Sequence, residues 1–99
     1  MKSLLAVTLT VLAVSVHAQE TDVARGSQVY AKNCASCHGA RMVGPEWAID
    51  LKTFPKDERA RFIDSVTHGR GGMPPWGDVL KADEIAALWA YVVSGGEGR

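Results

Sequence analysis

Cys34-Ala35-Ser36-Cys37-His38 is the segment of this sequence with the most specific chemistry. Two thiols separated by two residues fall along one turn of a helix, and the next residue carries an imidazole. This is the C-x-x-C-H spacing, in which both thiols add to the vinyl groups of a haem and the histidine binds its iron from the same side. Three other readings compete. A redox-active C-x-x-C belongs in a thioredoxin-like β-α-β context, and no run of β-branched residues alternates long enough here to supply the strands. Structural zinc takes four ligands, against which the chain sets Cys34, Cys37, His38, His68 and scattered carboxylates. The third is chance. An export signal and a chain short enough to want a cofactor favour haem over all three.

Iron held by His38 needs its sixth ligand from the opposite face, and so from a separate segment downstream. Met73 fits, in Gly71-Gly72-Met73-Pro74-Pro75-Trp76. The glycines free the backbone to approach, and the prolines then stiffen an extended path. Met42 lies only four residues beyond His38 and is read as packing or surface. His68 is the stronger rival, since a second imidazole would give bis-histidine ligation. It falls at the end of a predicted helix, where an imidazole interacts well with the last carbonyls and Gly69 provides the stop.

With these residues in order, the sequence resembles the small bacterial class I c-type cytochromes over about Val23 to Ser94. The shared pattern is an N-terminal helix, C-x-x-C-H-G, a Gly-Pro, a middle helix, Met-Pro and a final amphipathic helix. The resemblance implies an all-α fold of three main helices around one covalently bound haem c. Cys34 and Cys37 would be its attachment points, and His38 and Met73 the ligands of its iron. It also implies that the segment at Pro45 packs against His38, and that a backbone carbonyl there accepts the Nδ1 proton, orienting the ring and raising its basicity. Within the family, Met73-Pro74-Pro75-Trp76-Gly77-Asp78-Val79-Leu80 is most similar to the accessory cytochrome of the haem d-containing nitrite reductase. Similar segments occur in cytochromes that serve quinoprotein alcohol dehydrogenases.

The elements that must position these residues are legible from periodicity. Val23, Gly26, Val29 and Tyr30 recur at helical spacing up to Asn33, with Asp22 as a candidate cap. Thr53 to Thr67 is a second predicted helix, with Pro55 near its start and Phe62, Ile63 and Val66 on one face. Ile85, Leu88, Trp89 and Val92 define the third, with Asp83 and Glu84 in its first turn and Gly95-Gly96 after its end. Lys81 stands where family members often carry a serine cap. Tyr30 is expected to meet Trp89 or Tyr91 where the first and last helices cross, with Gly26 allowing close approach. Trp47 and Trp76 read equally as haem-pocket residues or as hydrophobic fill, and Arg41 and Arg70 as ordinary surface charge or as propionate or docking partners.

Lys2 followed by the apolar run Leu4 to Val16, then Val16-His17-Ala18, reads as a secretory signal peptide over residues 1–18, leaving a cytochrome c domain over 19–99. A mostly apolar run of 13 residues is too short for the roughly 20 that span a bilayer, so no stable membrane insertion is expected. Lys+Arg and Asp+Glu are both 11 in a chain of 99 residues, which removes the basic excess that nucleic-acid binding would show. With His38 and Met73 filling both axial positions, no coordination site is open to a substrate, so the protein is expected to be no enzyme. The expectation is instead a periplasmic carrier of single electrons between redox proteins, with nitrite reductase or a quinoprotein dehydrogenase as partner. The alternative is a haem-based ligand-binding or assembly module in which Met73 is labile.

Overall fold

A computed structural model describes the chain over residues 11–96, and its side chains over 22–96. Four α-helices follow in order: α1 (Val11–Asn33), α2 (Ala35–His38), α3 (Arg59–His68) and α4 (Ala82–Val93). Single 3₁₀ turns stand at Ala40–Met42 and Leu51–Thr53. Among the described residues there is no strand, only an isolated bridge between Arg70 and Met73. This is the all-α arrangement of three main helices, with α2 a single turn that carries the cysteine motif. No helix among the described residues is long and apolar enough to cross a membrane. The first ten residues of the expected signal peptide lie outside the described region.

Two boundaries differ from those predicted. The first helix begins at Val11 rather than Val23, so Asp22 is an interior residue and not a cap. The second predicted helix, α3, begins at Arg59 rather than Thr53. Its expected first turns are a 3₁₀ turn followed by Phe54 at ψ 134°, because the Pro55 ring disfavours the helical conformation for the residue before it. The last helix starts where the sequence places it, with Lys81 at the N-cap. Lysine has no acceptor to offer the helix, but Glu84 reaches back and its Oε1 accepts the Lys81 N–H at 2.8 Å, one half of a capping box.

The crossing of α1 and α4 organises the core. A Cβ on Gly26 would lie 2.0 Å from the Ala87 carbonyl oxygen, so the backbones meet at a distance that only glycine permits. One turn on, Tyr30 packs on Tyr91, with ring centroids 5.1 Å apart. Tyr91 is therefore the crossing partner. Trp89 instead joins Phe54 and Phe62 in a second aromatic group, at 5.9 and 5.0 Å. Arg25 pairs with Asp83 at 3.2 Å across the start of α4, an exposed contact of little energetic weight.

Tyr30 donates its hydroxyl proton to the Gly39 carbonyl and so fastens α1 to the residue that follows His38. Burial, then the neighbouring Cys34 and Tyr91, pushes this phenol up to about 12 from the usual 10. The folded chain thus holds the proton more tightly than the unfolded chain. The resulting stability is complete below pH 10 and is lost as pH rises toward 12. Tyr30→Phe should cost about 1 kcal/mol at pH 7 through loss of the hydrogen bond. It should also lessen the fall in stability over that alkaline interval, measured by denaturant melts of the holoprotein followed by helical circular dichroism. An unchanged alkaline fall would count against this assignment.

Candidate haem site

Cys34 to His38 forms the turn between α1 and the loop beyond it. The Cys34 carbonyl accepts the N–H groups of Cys37 (3.2 Å) and His38 (3.0 Å), so one helical turn carries both thiols and the imidazole. Neither thiol is in a disulfide. Cys34 is half-buried against the core, and burial followed by the nearby Cys37 pushes its thiol up to about 11. Cys37 is exposed. One sulfur thus abuts the hydrophobic core while the other faces solvent.

The imidazole of His38 is oriented from behind. Its Nδ1 lies 3.3 Å from the carbonyl oxygen of Ile49, which accepts when that nitrogen carries the proton and leaves Nε2 free as a metal ligand. The resemblance places this acceptor in the segment at Pro45, and the structure moves it to Ile49. The Gly-Pro segment itself does pack against the histidine, since a Cβ on Gly44 would lie 2.3 Å from the His38 carbonyl oxygen. The intervening turn, with the Ala48 N–H donating to the Pro45 carbonyl, carries the chain on to Ile49. Sequence periodicity gives no sign of this acceptor, because a backbone carbonyl bears no residue-specific signal.

Met73 is half-buried and packs on the same core cluster as Cys34. Its N–H and carbonyl pair with those of Arg70 at 2.9 and 3.0 Å, closing a tight turn over Gly71 and Gly72. His68 ends α3, followed by Gly69 at φ 81°, and its side chain is 71% exposed, 3.8 Å from Asp64. It occupies the helix end as the sequence suggests. Met42 is 3% exposed and belongs to the core, although it and Arg41 take left-handed φ values of 66° and 58°. Trp76 packs against the core, and Arg41 and Arg70 are exposed.

The apolar surface fits a haem. Val43, Trp47 and Ile49, at 68%, 74% and 56% exposure, all fall in the loop just after His38, and Val79 stands exposed in the segment after Met73. Large apolar side chains gathered in the loop beyond a C-x-x-C-H turn match the covering that a flat, mostly apolar macrocycle provides. Among the described residues no group of three His, Cys, Asp or Glu side chains gathers as a metal-ion site, so the zinc reading has no ligand cluster.

Residues 21–92 match the family described as cytochrome c oxidase, cbb3-type, subunit III. The chain belongs to the c-type cytochromes. Cytochrome c6 of Picosynechococcus sp. is 37% identical, over all of this chain and 98% of that protein. The chloroplastic cytochrome c6 of Chlamydomonas reinhardtii is also 37% identical, over 91% of the chain and 67% of the relative. The cbb3-type oxidase subunit FixP of Azorhizobium caulinodans is 35% identical over 76% of the chain, which spans only 28% of that longer protein. This c-type cytochrome accordingly binds one covalent haem c with its iron, and it is an electron carrier rather than an enzyme.

Proposed function

We propose that this cytochrome is a periplasmic monohaem carrier in which Cys34 and Cys37 hold the haem, and His38 and Met73 bind its iron. When bound, haem supplies an iron that takes up and releases one electron without other chemistry. The residues of this chain do the rest. Cys34, against the core, and Cys37, at the surface, anchor the group. Ile49 fixes the tautomer and direction of His38, and the Arg70 to Met73 turn presents a thioether, which favours the ferrous state more than a second imidazole would. With His38 and Met73 both as ligands, the chain would keep substrates off the iron. The observation that carries this reading is the single helical turn that presents two thiols and an imidazole whose Nδ1 is engaged by a backbone carbonyl.

The proposed acceptor is a terminal reductase. The Met73 to Leu80 segment supports the haem d-containing nitrite reductase, either as electron acceptor or in maturation of its haem. The match to an oxidase subunit family supports a cbb3-type oxidase as the second candidate. The carrier, reduced and mixed in a stopped-flow instrument with either enzyme and its substrate, should be reoxidised within the enzyme's turnover time. Reaction with neither, but rapid reduction by a quinoprotein alcohol dehydrogenase, would reverse the direction of flow. The location is tested by fractionation, where a periplasmic species beginning at Gln19 is expected. Cleavage there would remove the first turns of α1. A washed-membrane protein that retains residues 1–18 would be anchored instead.

A further inference from the structure

The segment that carries Met73 is closed as a strap onto the last turn of α3. It leaves that helix at Gly69, whose N–H donates to the Ser65 carbonyl at 2.9 Å. After the Arg70 to Met73 turn, Pro74 and Pro75 fix two successive φ angles. The strap then returns to the helix, where the N–H groups of Trp76 and Gly77 donate to the carbonyls of Val66 (2.8 Å) and Thr67 (3.1 Å). These two acceptors are among the last-turn carbonyls that an α-helix leaves without partners of its own. The end of α3 and the return of the strap therefore complete each other.

Where the strap returns to the helix, contact is close at Gly77. A Cβ there would lie 2.8 Å from the Thr67 γ-methyl and 2.9 Å from the Thr67 carbonyl oxygen. We infer that Thr67 and Gly77 form a latch that positions Met73, so that its fit sets how readily an outside ligand replaces the thioether. The inference rests on the reading that Met73 binds iron. An added methyl at position 77 must lift the strap from the Val66 and Thr67 carbonyls. Two prolines in the span back to Met73 leave little torsional freedom to absorb the shift.

The ferric holoprotein is tested by its sulfur-to-iron charge-transfer band and by its rate of imidazole binding. Gly77→Ala should bind imidazole about tenfold faster than wild type, the size of effect that overpacking a close contact produces. Asp64→Ala, a change at an exposed side chain of α3 outside the strap, should match wild type. Thr67→Ser combined with Gly77→Ala should recover part of the difference, because the γ-methyl is one of the two obstructing groups. This double variant also serves as the comparison if Gly77→Ala alone matures poorly. Imidazole binding at the wild-type rate in Gly77→Ala, or in the double variant where that is used, overturns the latch, as does an equal acceleration in Asp64→Ala. If the wild type lacks the band, Met73 is not the ligand and both readings fall. If the band is present and the position 77 variants are silent, only the latch falls.

Discussion

Exchanging Cys34 and Cys37 together for alanine is expected to give a chain that shows no haem stain after denaturing electrophoresis, with all haem extracted by acid acetone, while wild type retains one haem per chain. Thioether bonds are the only links that survive denaturation, since the proposed coordination by His38 and Met73 would be lost when the chain unfolds. Cys37→Ala alone should leave at most one attachment, through Cys34. The effect on the fold should also be large. A domain of this length buries too little apolar surface to be secure by packing alone. Val43, Trp47 and Ile49 would then remain in water beside the motif. The double variant should accordingly show weakened helical circular dichroism and a lower, broader melt. Acid-resistant haem in the double variant would place the attachment elsewhere.

The parts of this site that depend on side-chain identity are the parts that the sequence reveals. C-x-x-C-H is such a case, because the attachment chemistry dictates both residue type and interval. The crossing of α1 and α4 is another, since glycine at position 26 and an aromatic ring one turn later describe a contact between backbones and the ring beside it. The start of α3 at Arg59 differs from the expected Thr53 because helical periodicity in Phe62, Ile63 and Val66 says where a face lies and not where its first turn begins. Phe54, held extended before Pro55, instead packs edge-on against Phe62 at 5.7 Å from outside the helix. Asp22 could pass for a cap because a capping residue and an interior aspartate look the same until the upstream backbone is known. The Ile49 carbonyl and the Val66 and Thr67 carbonyls carry no residue signature, so the hydrogen bonds that orient His38 and close the strap emerge only in three dimensions.

Met73→Ala should remove the sulfur-to-iron charge-transfer band, lower the reduction potential by an amount on the order of 0.1 V within the span that axial ligands command, and open the iron to carbon monoxide or cyanide. His68→Ala should leave all three properties as they are. The contrast follows from placement. The Met73 side chain packs against the core cluster that Cys34 also touches, and its backbone is tied at 2.9 and 3.0 Å into the turn with Arg70. Loss of its thioether therefore empties a coordination position without removing the loop that carries it. His68 is 71% exposed at the end of α3, with the Asp64 carboxylate 3.8 Å away. To bind iron it would have to give up that environment and unwind the last turn, whose neighbouring carbonyls at Val66 and Thr67 are already engaged by Trp76 and Gly77. A wild-type spectrum that is low-spin without the band, and that turns high-spin in His68→Ala, would show a histidine in the sixth position. A five-coordinate wild type that captures nitric oxide would instead make the protein a ligand-binding module, because an open position is what such a sensor requires and what a carrier closes.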